Sequence, residues 1–479
     1  MANLLASLVS SARSLNVFEQ ALVVAQNNVV NAATAGYAAQ RLKPVASAFE
    51  PTLGLIGGIQ AGEVESARNL FAEQAVRRQL EALGYFEQSA QSLTSVESVF
   101  DVTGLSGIPG SLNALLESFS AWSVDPNSTE ARQSVLDNAQ KVADAFRQAA
   151  LTLDQTSADT DLQLRQLVDK VNRLGEELLA ANTEIRRGAN RDAGLDTRIH
   201  NTLEELSELV NITVLHQTDG SITVLIGGQT PLVVGDHLYR IRANFDLPAD
   251  PPPTYPEAQA PAKILSSDGS DITSQIALGK LAGLLYVRNE VLPSLVGDAY
   301  HEGDLNRLAK ALADRVNQLL TSGLVTNSDP PETGLPLFTY SAANPARAAH
   351  TFSLNPAITP DKLAAIDPGP PFVSNGIALR LANLANSTDP ADGLDGFSYI
   401  EFYGRVAGRV GRLLADSKDA KDFKTQMVTQ ARSLRQELSG VSLDEEAIRI
   451  LEFQRAYQAN AKVINLLDEL TEVTISLLR

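Results

Sequence analysis

The strongest constraint on how this chain can fold is a pair of heptad patterns, one at each end. From Ser442 to Arg479 no proline or glycine interrupts the run. Ala456, Ala459, Val463, Leu466, Leu470, Val473 and Leu477 step three-four, the spacing of a coiled-coil seam. Tyr457, Ile464, Leu467 and Leu478 widen the seam into a broad apolar face. The opening Ser442-Leu443-Asp444-Glu445 predicts a capping box, in which the Ser442 hydroxyl accepts from the Glu445 amide and the Glu445 carboxylate reaches back. Gly440 is placed to end a preceding helix. At 1.5 Å per residue the terminal helix is about 50 Å long, and its apolar face needs a partner.

The first forty residues supply one. Leu4, Leu8, Ser11, Leu15, Phe18, Leu22, Ala25 and Val29 also step four-three, and only Arg13 and Glu19 carry charge before Arg41. The segment closes in Asn27-Asn28-Val29-Val30-Asn31-Ala32-Ala33-Thr34-Ala35-Gly36-Tyr37, with Gly36 as a helix stop. The two patterns predict termini that come together as a coiled coil. Asn27, Asn28, Asn31 and Asn460 are amides on otherwise apolar helices. Two readings stand for them: buried amides that register one copy against another, or exposed amides on a polar face.

These residues carry a family resemblance. The stretch Asn27 to Asn31 with Thr34-Ala35-Gly36-Tyr37 resembles the signature shared by flagellar rod, hook and hook-associated axial proteins. At the other end, Ser439-Gly440-Val441-Ser442-Leu443-Asp444-Glu445-Glu446 and Phe453-Gln454-Arg455-Ala456-Tyr457-Gln458-Ala459-Asn460-Ala461-Lys462-Val463 are similar to the closing signature of the hook-associated protein 1 family. Glu63 to Phe71, Asp196-Thr197-Arg198, Gly279 to Arg288, and Pro126 with Ala131-Arg132-Gln133 extend the likeness over nearly the whole chain.

The resemblance implies a structural subunit at the hook–filament junction, outside the cell, exported by the flagellar type III apparatus through an uncleaved N-terminal signal. It implies as partners copies of the chain itself in a ring or short helical layer, hook protein below, the third hook-associated protein above, and a cytosolic export chaperone on the C-terminal helix. The residues it points to for assembly are Leu4, Leu8, Leu15, Phe18, Leu22, Asn27, Asn28, Asn31, Gly36 and Tyr37 at the N-terminus. Their C-terminal counterparts are Leu443, Asp444, Glu445, Phe453, Tyr457, Asn460, Val463, Leu466, Leu470, Val473 and Leu477. Another axial protein of hook or rod, a flagellum-associated peptidoglycan hydrolase, and a secreted adhesin or translocator are the alternatives.

Composition narrows the field. The chain has 479 residues, 44% of them hydrophobic, and no cysteine, which removes disulfides, thiolate metal sites and cysteine nucleophiles. Its net charge is −18; residues 1–40 contribute zero and 443–479 contribute −3, leaving −15 on residues 41–442. An acidic body repels phosphate backbones and anionic lipid, so neither nucleic acid nor a membrane surface is an expected partner. No run is long and apolar enough to span a bilayer.

Between the ends, the glycine-rich 54–62 reads as a flexible crossing. Helices are predicted at about 71–100, Leu112–Trp122, Ser128–Leu153, a heptad stretch from Leu164 to Ile185 ending near Gly188, Asp192–Val210, Leu278–Val296 and Leu305–Leu320, with two more between Tyr399 and Leu438. Ile212–His216 and Ile222–Ile226 flank Thr218-Asp219-Gly220 as a hairpin, with further strands at 232–234, 238–241, 338–340 and 351–354. The fold class is mainly α with a smaller β-rich portion: paired terminal helices, a long-helix bundle body, inserted hairpins, and any large outer β domain absent or vestigial. Three regions are expected: terminal (1–65 and 440–479), bundle (66–210, 278–325 and 396–439) and β-rich (211–277 and 335–395).

Chemistry is scarce. The five histidines are scattered, with no metal-ligand spacing, and His200 and His216 read as structural. Asp389, Asp392 and Asp395 lack EF-hand spacing and read as a solvated acidic loop. No catalytic, cofactor-binding or metal residue is predicted.

Overall fold

The computed structural model describes residues 2–50, 55–100, 106–187, 192–387 and 389–476. The chain opens with α1 (Ala2–Val30). Where the glycine-rich crossing was expected it instead forms a ribbon. β1 (Gln40–Ala46) pairs antiparallel with β4 (Ile59–Ser66), and β2 (Phe49–Glu50) with β3 (Leu55–Ile56). The reason is local: Gly57, in the step between β3 and β4, adopts φ +73°, its amide donates to the Ala48 carbonyl at 3.1 Å, and the Ser10 hydroxyl donates to the Gly57 carbonyl at 2.8 Å. Gly54 lies outside the described residues.

The body begins with α2 (Leu70–Glu97), capped by Asn69, whose side chain accepts from the Phe71 and Ala72 amides. It continues through α3 (Gly107–Val124) into α4 (Thr129–Arg186), a single helix of 58 residues and about 87 Å. Two helices were expected here, because the apolar pattern lapses between Leu153 and Leu164. That lapse is a polar waist between two cores. Asp154 pairs with His350 at 2.7 Å, Ser157 with Gln259 at 2.5 Å, and Asp161 with Arg288 at 2.7 Å. The expected stop near Gly188 lies outside the described residues. After α5 (Ala193–Leu209) come β5 (Ile212–His216), β6 (Ile222–Ile226), β7 (Thr230–Val234) and β8 (His237–Leu238), a four-stranded antiparallel meander. The predicted hairpin forms, with Ile212 opposite Ile226 and His216 opposite Ile222. A short pair, β9 (Arg242–Asn244) with β10 (Lys263–Leu265), follows.

The helix expected over 278–296 is built in three pieces: α6 (Lys280–Tyr286), one π-turn over Val287–Val291, and α7 (Leu292–Val296) with Pro293 in its first turn. Then come α8 (Asp304–Ser322), β11 (Leu324–Thr326) with β12 (Glu332–Thr333), β13 (Phe338–Thr339), the single turn α9 (Ala348–Thr351), β14 (Ser353–Leu354) against β13, and α10 (Gly376–Asn383). Residues 399–438 make one helix rather than two, α11 (Tyr399–Ser439), opened by a complete Ser398–Glu401 capping box. The tail is α12 (Leu443–Ser476). Of its expected capping box one half is formed: the Glu445 amide donates to Ser442 Oγ at 3.4 Å, while the Glu445 carboxylate lies 3.5 Å from Arg449.

Two cores hold the body. The first gathers α3, the N-terminal half of α4, α8, α10 and the start of α11 around Phe119, Trp122, Phe146 and Phe352. In the second, the C-terminal half of α4 packs with α5, α6 and the β5–β8 sheet. The acidic 389–395 loop is not simply solvated: Arg315 bonds Asp392 at 2.6 Å and Arg307 bonds Asp395 at 2.8 Å. Nearer the termini, α2 and α11 run antiparallel, sharing only Val76, Leu80 and Val428 as a small third cluster.

Candidate assembly surface at the paired termini

The termini meet as expected. The first turns of α12 lie beside Ala21, Val24 and Ala25 of α1, and the helix runs back along α1 antiparallel. On α1 the buried positions are Ser14, Val17, Ala21, Ala25 and Asn28. On α12 the less exposed positions include Glu446, Ile450, Phe453, Tyr457, Asn460, Ile464, Leu467, Thr471 and Thr474, an unbroken four-three repeat, with Arg449, Ala456 and Ala461 beside it.

That seam is not the one the sequence pattern selects. Ala459, Val463, Leu466, Leu470 and Val473 sit one residue off it, rotated by about 100° around the helix, and all are exposed; Leu466 keeps 58% of its surface in solvent. Ala456 borders the inward seam, half-buried. Leu477 and Leu478 lie outside the described residues. Leu443, Asp444 and Glu445 are exposed at the start of α12. On α1 the same displacement puts Leu4, Leu8, Leu15, Phe18 and Leu22 on half-buried flanks, with Val29 exposed.

The covered seam is therefore the more polar of the two. Its threonines are satisfied locally, Thr471 and Thr474 each donating to the carbonyl four residues back at 2.6 Å. The bare stripe carries only apolar side chains from Ala459 to Val473. Large apolar residues remain exposed elsewhere in the terminal unit, among them Leu5, Val9, Val23 and Val30 on α1 and Val45, Phe49 and Val64 on the ribbon.

The asparagines divide. Asn28 is fully buried and works within its own chain: its Nδ2 donates to Gln40 O at 2.8 Å, and its Oδ1 accepts from Gln40 N and Tyr37 Oη, each at 2.9 Å. It fixes the register of α1 against β1. Asn27 is exposed, and Asn31 bonds back to it at 2.9 Å. Asn460 is half-buried on the inward seam. α1 ends at Val30, six residues before the expected stop at Gly36, which takes φ +73° in the turns that follow; an added Cβ there would fall 1.9 Å from the Asn201 amide oxygen.

A polar joint ties this unit to the body. Ser439, the last residue of α11, accepts from the Ala39 amide through its carbonyl and from the Asn69 amide through its hydroxyl, both at 2.9 Å. Arg68, its side chain 5% exposed, bonds Glu73 at 2.5 Å, Asp196 at 2.6 Å and the Gly36 carbonyl at 2.8 Å. Arg435 bridges Glu73 and Glu204; burial opposes its charge, but the two carboxylates outweigh burial and raise its pKa. Burial and then the Glu446 carboxylate push the Tyr37 hydroxyl upward. Sequence reasoning assigned no role to Arg68, Glu73, Asp196, Glu204, Arg435 or Ser439. Arg68, Asp196 and Ser439 entered it only as members of the resembling stretches 63–71, 196–198 and 439–446.

Among the described residues no group of His, Asp or Glu is arranged to hold a metal ion, and no helix is long and apolar enough to cross a membrane. What the arrangement offers is exposed apolar surface at the paired termini.

Residues 93–338 match the model of the flagellar hook-associated protein FlgK helical domain, more than half of the chain. The chain belongs to the FlgK family of flagellar hook-associated proteins. Residues 426–477, which span the end of α11 and all of α12, match the C-terminal model of the flagellar basal body rod FlgEFG proteins. Flagellar hook-associated protein 1 of Bacillus subtilis is 27% identical over 98% of this chain and 97% of its own length. That of Escherichia coli is 22% identical over 99% and 100%. The solved flagellar hook junction protein FlgK from Burkholderia pseudomallei superimposes with a TM-score of 0.63 at 15% identity, covering 78% of this chain and all of that one, a likeness of fold. This FlgK-family chain is a structural component of the flagellum, mainly helical, and assembles with other axial proteins.

Proposed function

We propose that this FlgK-family subunit joins hook to filament, and that it does so by docking the bare stripe of its terminal helix pair on copies of itself. The observation that carries the reading is the division of labour on α12. The helix spends its polar seam on α1 and leaves Val463, Leu466, Leu470 and Val473 between 45% and 58% exposed. Each large side chain covered by a neighbour contributes about 1.5–3 kcal/mol before ordering costs are subtracted. The resulting inner tube continues the hook, with hook protein below, the third hook-associated protein above, and the body outside it. Before assembly the same stripe is the natural hold for a cytosolic chaperone, and the N-terminal segment is the signal read by the type III export apparatus. The terminal unit, the helical bundle and the strand-rich parts then act as inner and outer layers of one axial subunit.

The test is the double substitution Leu466→Asn with Leu470→Asn. Both side chains face solvent in the subunit, so the thermal midpoint of the body is expected to stay within about 1 °C, whereas attachment to isolated hooks is expected to fall at least tenfold. Undiminished attachment contradicts the proposal.

A further inference from the structure

A second feature at the same level of the molecule is left uncovered. The ribbon β1–β4 lies on α1 by one face, where Ile59 N reaches Ser14 Oγ at 3.4 Å; its base, Gln40 to Leu42, faces the start of α12, and among the described residues no further strand pairs with its edges. Val45, Phe49 and Val64 stand on it 55%, 71% and 50% exposed. Two strands alone are marginal in water, so a ribbon this open gains most from being covered.

A matching hollow lies between α2 and α11. It is a groove of about 460 Å³ whose floor includes Ala75, Gln79, Met427, Ala431 and Leu434. Phe71 and Leu438, 84% and 49% exposed, stand at its joint-side end, where Glu73 and Arg435 pair across the two helices. No residue of the ribbon, α1, α5 or α12 lines it. One polar detail says more than the apolar ones: the Gln79 side-chain oxygen is buried there with no hydrogen-bond partner. A buried acceptor left unmet costs about 1–3 kcal/mol, so the groove is complete only with a visiting donor. A ribbon edge carries such donors, its unpaired backbone N–H groups, beside its apolar knobs.

We infer that the ribbon of one copy seats in the α2–α11 groove of the next. Knob and groove are different surfaces of the same chain, which makes the contact heterologous and therefore able to close a ring or wind a helical layer. Both flank Ser439: the ribbon starts one residue after Ala39, which is bonded to it, and the groove ends at Leu438. Within one subunit Phe49 lies back along α1 beside Gly57 and Ser10, while the groove lies on the body side of Ser439, so the contact joins copies staggered along the axis. The inference rests on the self-assembly reading above and adds the partner surface for the ribbon.

The chain's lack of cysteine makes the test clean. One pool carries Phe49→Cys and the other Leu434→Cys; both positions are exposed, so both variants are expected to fold. Assembled together on isolated hooks under mild oxidation, the mixed pools are expected to form an intermolecular disulfide, and neither pool alone. A disulfide requires Cβ atoms about 3.5–4.5 Å apart, so Ala75→Cys is run beside Leu434→Cys to allow for seating depth. Phe49→Asp is expected to lower hook attachment at least fivefold with an unchanged thermal midpoint. Attachment without any mixed disulfide at either groove position, or a disulfide in the Phe49→Cys pool alone, overturns the inference while leaving the terminal-helix reading standing. No attachment by the unsubstituted chain overturns both.

Discussion

The body and the terminal unit of this chain solve the problem of apolar surface in opposite ways. Residues 70–439 close two cores around Trp122, Phe119, Phe146 and Phe352, and among the described residues leave 14 large apolar side chains substantially exposed. Residues 2–69 and 440–476, about a fifth of the chain, leave 16 exposed, while α1 fully covers little more than Val17, Ala21 and Ala25. The body closes its own cores and leaves the α2–α11 groove open. The terminal unit is a half-interface, and the difference marks which part of a flagellar axial subunit folds for itself and which part folds for the assembly.

Substitutions that probe this contrast differ in where their effect appears. The largest is expected in the body. Phe146→Ala removes a ring packed 5.3 Å from that of Phe352 in the first core and is expected to cost about 3–5 kcal/mol, read as a lowered denaturation midpoint. At the joint, Arg68→Met strips the buried Glu73 and Asp196 carboxylates of a partner and is expected to cost about 3 kcal/mol. Protection of the amides around Gly36 and Ala39 is expected to drop with it. If hydrogen exchange there is unchanged, the joint is not held by this cluster.

A smaller effect comes from Glu81, on α2 above the joint. Burial pushes its carboxyl up to about 7 from an ordinary 4.5, against the opposing pull of the Ile212 amide it accepts from and of Arg77. The folded pKa is raised, so holding the charged form costs the fold at pH above 7; stability from this group is gained as pH falls from about 7 toward 4.5 and is flat below. Glu81→Gln is therefore expected to stabilise the body at pH 8, by on the order of 1–2 kcal/mol, and to make no difference near pH 4.5. A difference independent of pH contradicts this account of the site. The smallest effect on folding belongs to the Leu466→Asn and Leu470→Asn pair, whose loss is reserved for attachment.

The fold class was legible because long helices advertise their periodicity, and the 212–226 hairpin because Thr218-Asp219-Gly220 is unambiguous turn chemistry. The misreadings share one cause. A lapse in apolar pattern reads as a break, yet in α4 the lapse from Asp154 to Asp161 is where the helix passes between two cores, its polar groups met by His350, Gln259 and Arg288. On α12 the error ran the other way. Reading for the most apolar stripe finds Val463, Leu466, Leu470 and Val473, and a single chain has nothing to cover them; α1 takes the stripe of Phe453, Tyr457 and Ile464 instead. Nor did the sequence disclose the joint, because Arg68, Asp196 and Arg435 lie hundreds of residues apart and no periodicity joins them.

Hydrogen exchange on the dilute subunit and on hook-assembled material, compared residue by residue, puts the contrast between the two regions to its most direct trial. Residues 5–28 and 446–474 are expected to exchange rapidly in the free subunit, since a helix pair with so little covered surface is marginal, and to become protected on assembly while the two body cores stay unchanged. Protection of the terminal helices in the free subunit as strong as that of Phe146 and Leu203 would contradict the account.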